Sequence, residues 1–261
     1  MPKATFNGLP REKRERVLTA ATDLFAERGF HRTEMDEIAR RAGISKGSLY
    51  NYFKSKDELF LHICNLGIHG FRQSVWREIP SDWDIYRQVE ELFRREVPLI
   101  LEHPQNFQIY LNLASSGMKR FADRYTRKGE EFGAQRIKAL LRRGMAEGIV
   151  RPDLDVRYTA FLIHSLSLIF MASLVSQHFQ IRFKEYLEIK GELNSKTIQK
   201  NLQQMIRFIH QLLRPSGLSA REKTNRTQIN TARRSRNQKK SPPPSPPPSR
   251  GRVRVGGMPF A

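Results

Sequence analysis

The sequence is short of cysteine: of its 261 residues, Cys64 is the one thiol. A lone cysteine cannot close an intrachain disulfide, so a reducing compartment, the cytoplasm, is expected. The opening residues MPKATFNGLPREKRER lack the apolar run of a secretory signal. Sustained period-two alternation is missing too, which argues against half-buried strands. Long uncharged runs are scarce. One of them, from Tyr158 to Gln177, has the length of a membrane span, but Thr159, His164, Ser165, Ser167, Ser173 and Ser176 interrupt it. A buried helix of a soluble body is the better reading, and no membrane partner is expected. The chain also lacks a Walker A loop, a Gly-x-Gly-x-x-Gly fingerprint and a His-Glu-x-x-His pair. No enzyme activity and no cofactor are therefore expected. His62, Cys64 and His69 lie near one another, but these spacings do not stack on one helical face, and no metal site is expected.

What the chain has in excess is positive charge, with 46 Lys and Arg against 26 Asp and Glu. A net +20 points to a polyanion. Its location qualifies that inference. From Arg214 onward there are 12 basic residues and one acid, Glu222, so this end alone carries +11. Residues 215–261 include Ser-Pro-Pro-Pro-Ser-Pro-Pro-Pro-Ser, which cannot form a packed core, and a disordered tail is expected. Residues 1–71 hold 12 basic residues against nine acids, only +3.

From Arg11 to Arg214 apolar residues recur at spacings of three and four, which predicts an all-α fold. The first helix is expected over 11–28, with Val17, Leu18, Ala21, Leu24 and Phe25 inward and Gly29 as its stop. Thr33 is the expected N-cap of a short second helix, whose first turn holds Glu34, Asp36 and Glu37. A third starts after Ser45 and a fourth after Ser55. Beyond Pro80 longer helices are expected over 83–102, 156–178 and 196–213, with others centred on 107–114 and 132–146.

The informative segment is MDEIARRAGISKGSLYNYF, Met35 to Phe53. Ala39 suits a close helix crossing, Gly43 a left-handed turn residue, and Leu49 the inner face of the next helix. These spacings suit two helices joined by a tight turn, the second able to enter a major groove. The outward residues support this. Ser45 sets a hydroxyl beside free N–H groups that favour phosphate. Lys46, Gly47, Ser48 and Asn51 are short or cationic and face away from Leu49, as base-edge contacts would require. Tyr50 and Tyr52 flank them.

The run GISKGSLYNYFKSKDELF, with ATDLFAERGFHRTEMDEIARRAG before it, resembles the tetracycline-repressor (TetR) family of transcriptional regulators. The resemblance covers residues 11–71 strongly. It implies a three-helix helix-turn-helix head joined to a larger helical ligand-binding and dimerisation body, 80–213. It also implies a double-stranded DNA operator, a homodimer and a small organic effector as partners. Carried over by position, Thr33 and Ser45 would anchor phosphates. Lys46, Gly47, Ser48 and Asn51 would line the bases, and Tyr50, Tyr52 and Lys56 would grip the backbone. Tyr52 departs from the histidine common there. In the body, the helix from Tyr158 and the apolar face Ile198, Leu202, Met205, Ile206, Ile209 and Leu213 are expected to supply half of an intersubunit four-helix bundle. The expected effector pocket involves Phe107, Tyr110, Leu111, Phe132, Phe161, His164 and Ile169, suited to a hydrophobic or planar ligand.

Overall fold

Phe6 anchors an element that begins before the first expected helix. Helix α1 (Ala4–Asn7) buries that ring, 4.8 Å from the ring of Phe53. The backbone N–H of Lys3 donates to the Tyr52 carbonyl at 3.0 Å and ties the segment down. The structure, a computed structural model, describes residues 2–77 and 79–215, with the backbone alone at Lys128. The expected disordered tail lies outside the described residues, Pro215 excepted.

The head follows the sequence pattern closely. In α2 (Arg11–Arg32) Gly29 takes φ 75° and ψ 169°, a conformation that only glycine adopts readily, and the helix kinks there. After α3 (Met35–Arg41) the turn runs through Gly43 at φ 67°. Ser45 caps α4 (Lys46–Tyr52) by accepting from the Ser48 N–H at 3.1 Å. Ser55 caps α5 (Lys56–Phe71) in the same way through Glu58. Val17, Leu24, Ile38, Ala39, Leu49 and Phe53 are all buried, so the expected core of the head is the observed one.

Past α5 the helix widens into a π-helical stretch, Arg72–Trp76. The body consists of α6 (Ile85–Glu102), α7 (Pro104–Asn112), α8 (Lys119–Ala146), α9 (Val156–Val175), α10 (Gln177–Tyr186) and α11 (Ser195–Leu213). Helix α8 begins at Lys119, well before the expected segment. Its first half is mostly charged and buries only a sparse stripe, Phe121 and Tyr125. Helix α9 stops short because Ser176 is extended. The unexpected α10 then packs back on α9, with Phe183 against Phe170 at 5.5 Å. It has no buried residue and so no apolar stripe to announce it.

Helix α11 corrects an expectation. Ile198, Leu202, Ile206, Ile209 and Leu213 are buried in the chain's own core with Val89, Phe93 and Leu141. Its apolar face is therefore spent within the chain and not on a second subunit. The C-terminal end is pinned by the Arg151 N–H, which donates to the Leu213 carbonyl at 2.9 Å.

Head and body share one core. Ile109, Leu113, Met118, Phe121 and Tyr125 of the body join the head's apolar cluster. At this joint Gly117 has φ 80°, and a Cβ there would lie 2.7 Å from His31 Nε2. The imidazole can swing aside, so backbone strain sets the cost of a side chain. Gly117→Ala is expected to destabilise the chain by about 1–3 kcal/mol. Thermal melts check this, and an unchanged Tm contradicts it.

Candidate functional site

One side of α4 presents a continuous polar surface. Lys46, Gly47, Tyr50 and Asn51 are exposed and Ser48 half-buried. Ser45 Oγ lies 2.9 Å from Ser48 Oγ. The Lys46 ammonium pairs with Asp36 of α3 at 2.8 Å, both side chains being 60% exposed. The hydrogen bond from this carboxylate and its charge raise the lysine above its ordinary pKa. A Cβ on Gly47 would meet nothing nearer than Ser45 Oγ at 3.9 Å, an ordinary contact. The fold thus has room for a side chain there, and glycine keeps the surface flat for close approach. Helix α1 braces the far end: Lys3 Nζ donates to the Tyr50 carbonyl at 2.8 Å and Thr5 Oγ1 to that of Asn51 at 2.7 Å.

Three residues expected on this surface are committed elsewhere. Thr33 is fully buried, and its hydroxyl donates to the carbonyls of Leu24 and Gly29 at 3.0 and 2.8 Å. It closes the kinked end of α2, while Glu34 occupies the N-cap position of α3. Tyr52 is only 7% exposed because α1 covers it, with the Phe6 ring 5.8 Å away. Lys56 donates to the Thr33 carbonyl at 2.8 Å and sits 4.7 Å above the Phe30 ring. All three hold the head's shape. The outward reading of Thr33 and Tyr52 missed the kink at Gly29 and α1, which turn these two inward, while Lys56 stays half-buried.

The second feature is a cavity of about 650 Å³ between the end of α5, the π-helical stretch, and α6 to α9. Of the expected pocket residues, Phe107, Tyr110, Phe132 and His164 line it. Leu111 does not, and Phe161 and Ile169 point away, 64% and 44% exposed on the outer side of α9. A helix apolar on several sides gives no register by itself, so the wrong face was assigned. Rings crowd one wall: Phe107 stacks on Tyr110 at 5.7 Å, and Trp76 meets Phe132 edge-on at 5.7 Å.

Polar chemistry in the cavity joins Tyr110 and His164, both expected there, to Glu130, Glu96 and Ser167, which the sequence reading passed over. Tyr110 donates to Glu130 Oε1 at 2.8 Å, and His164 Nδ1 lies 3.2 Å from Glu130 Oε2. This hydrogen bond raises the imidazole's pKa and lowers that of the carboxyl. Ser167 donates to Glu96 Oε2 at 2.7 Å. Burial pushes the Glu96 carboxyl up to about 7, against the opposing effect of that hydrogen bond. A signal for it existed: Glu96 falls on the apolar stripe Val89, Phe93, Ile100 of α6, where an acid needs a reason. Nearby Cys64 is buried and its thiol pushed up to about 12, so it offers no reactive thiolate.

A helix-turn-helix head fused through a shared core to a helical body with an internal cavity defines a DNA-binding transcriptional regulator. The chain belongs to the TetR family. The family model for bacterial regulatory proteins, tetR family, matches residues 17–63. The transcriptional repressor KstR2 of Mycobacterium tuberculosis is 31% identical over 152 residues, covering 57% of this chain and 74% of KstR2. The transcriptional activator FasR of Mycolicibacterium smegmatis is 49% identical over 93 residues, 33% of this chain, which spans only 42% of FasR. A TetR family regulator from Chloroflexus aurantiacus superposes with a TM-score of 0.62 at 24% identity, over 82% of this chain and 99% of that one. These relatives are transcriptional regulators, not enzymes.

Proposed function

We propose that the chain is a cytoplasmic, homodimeric repressor that leaves a palindromic operator when a small hydrophobic ligand fills its cavity. The observation that carries this reading is the cavity wall. Leu66 to Phe71 of α5 and the π-helical stretch line it, and α5 follows directly on α4. A ligand that fits one position of α5 better than another biases the head's orientation by that difference in affinity. Two heads in a dimer must match the half-site spacing, so a modest rotation suffices. The units taken to act here are the head, 11–71 with α1 added, and the body, 80–213.

Dimerisation is supported by α9. It is long and apolar enough to cross a membrane, the one such helix among the described residues. One side of it packs in the body, while Tyr158, Phe161, Leu162 and Ile169 remain exposed together with Phe208 of α11. A second copy is the proposed cover for this face. Recognition is assigned to Ser45, Lys46, Gly47, Ser48, Tyr50 and Asn51.

Gel-shift titration of operator fragments, found by mapping genomic binding sites, tests the reading. Apolar effectors should release the DNA, and Gly129→Leu should abolish their effect. Gly129 lines the cavity, and a Cβ there meets nothing nearer than Ile68 Cδ1 at 3.9 Å. The ligand-gated reading is lost if no apolar effector alters DNA affinity. An activator is the alternative, favoured by the resemblance to FasR; a reporter driven from the operator separates the two by the sign of its response.

Asp36 supplies a second check on the recognition surface. Its carboxylate neutralises Lys46, so Asp36→Asn should strengthen non-specific DNA binding. The slope of log K against log salt should steepen by about one. Fluorescence anisotropy over a salt series measures both, and an unchanged slope would place Lys46 away from the DNA.

A further inference from the structure

Arg72, Arg77, His69 and His103 line the cavity, and a separate cluster of polar groups joins α6, α8 and α9, where most atoms are engaged. Glu130 is occupied by Tyr110 and His164, and one oxygen of Glu96 by Ser167. Within this cluster two atoms remain, Glu96 Oε1 and His164 Nε2. Glu96 is 8% exposed and Oε1 has no protein partner, yet no buried side-chain nitrogen or oxygen among the described residues is left unsatisfied. Oε1 therefore opens onto the cavity that Glu96 lines. His164 and Ser167 stand three residues apart on α9, neighbours on one helical face. This places the imidazole beside the Glu96–Ser167 pair.

At this cluster, on α6, α8 and α9 and apart from the arginines of the π-helical stretch and its end, the charges select against ions. An anionic group placed here would face the carboxyls of both Glu96 and Glu130, and the imidazole of His164 is already held by Glu130. A cationic group would sit against that imidazole. Burying either ion also costs far more than burying a neutral hydroxyl. A hydroxyl can donate to Glu96 Oε1 and accept from a His164 Nε2–H, and a carbonyl can accept from either group when it carries its proton. With the cavity taken as the effector site, we infer that its ligand is an apolar molecule whose buried polar group is an uncharged hydroxyl or carbonyl, engaged by Glu96 and His164. The proton that Glu96 retains to about neutral pH fits a partner that is itself neutral.

Three probes with one skeleton test this on the full chain: decanol, decanoate and decylammonium, each below its micelle concentration. Trp76 lines the cavity and reports binding through its fluorescence. Decanol should bind at least tenfold more tightly than either ion. That preference should persist in Glu96→Gln, vanish in Glu96→Leu, and all binding should be blocked in Gly129→Leu. Tighter binding of decanoate or decylammonium overturns the neutral-group assignment and leaves the cavity a ligand site. A preference unchanged in Glu96→Leu removes Glu96 from recognition. Binding of none of the three, or binding that persists in Gly129→Leu, overturns the cavity reading itself.

Discussion

Phe30→Ala is expected to cost the folded chain about 3–5 kcal/mol, a large share of the stability of an ordinary domain. Phe30 follows the Gly29 kink and stands at the meeting point of head and body. Its ring lies 4.7 Å from Phe121 of α8, 5.1 Å from Phe60 of α5 and 6.1 Å from Phe25 of α2. The Lys56 ammonium covers one face at 4.7 Å. Each aromatic pair adds about 0.5–1.5 kcal/mol beyond the area that it buries. The loss should also have a distinctive form. With the shared core opened, head and body should melt in two calorimetric transitions. Leu49→Ala, which opens a cavity inside the head alone, should lower stability without disturbing the packing at Phe30. Phe30→Ala should also weaken the effect of ligand on DNA affinity, because α5 is then less firmly held to the rest of the head. A single transition with a loss below about 1 kcal/mol would place the joint elsewhere.

The head was legible in the sequence because local chemistry fixes it. Gly29 and Gly43 stand where the backbone needs unusual angles, Ser45 and Ser55 cap the helices that follow, and Leu49 and Phe53 turn inward. Where the reading went astray, the deciding contact came from far along the chain. Tyr52 is inward because α1, some 46 residues earlier, covers it. Thr33 is the local exception, drawn to the Gly29 carbonyl at the kink, and Lys56 reaches back to the Thr33 carbonyl. The same holds for the cavity. Phe107, Tyr110, Phe132 and His164 could be chosen as aromatic or polar members of central helices. Phe161 and Ile169 could not be told from inner residues, since α9 is apolar around most of its circumference and only its packing partners define an inside. Charge misled most. The bulk of it lies beyond the described helices, while the recognition surface has a single lysine already paired with an acid.

Glu96→Gln should stabilise the chain above neutral pH, by up to about 3 kcal/mol, and do little near pH 4.5. Unfolded, the carboxyl releases its proton near its ordinary value of 4.5; folded, burial holds that proton to about 7. Between those values the folded state binds more protons, so stability falls as pH rises, at about 1.4 kcal/mol for each pH unit and proton. Above about 7 both states are ionised and the loss is complete. Neighbouring groups act in other windows. His164, raised above 6.5, gives stability that is full below 6.5 and lost as pH rises through its folded value. Glu130, lowered below 4.5, gives stability present above 4.5 and lost as pH falls. His62 and His210, lowered below 6.5 by burial, make stability rise with pH towards 6.5 in both proteins, so Glu96 is read from the difference between the two profiles. Glutamine keeps an oxygen to accept from Ser167 and carries no charge to bury, so the variant should lack the fall that Glu96 causes between 4.5 and about 7. Urea unfolding at pH 5, 6, 7 and 8 measures the difference. Parallel profiles for the two proteins would mean that Glu96 ionises as freely folded as unfolded, which a carboxyl enclosed by α6 and α9 cannot do.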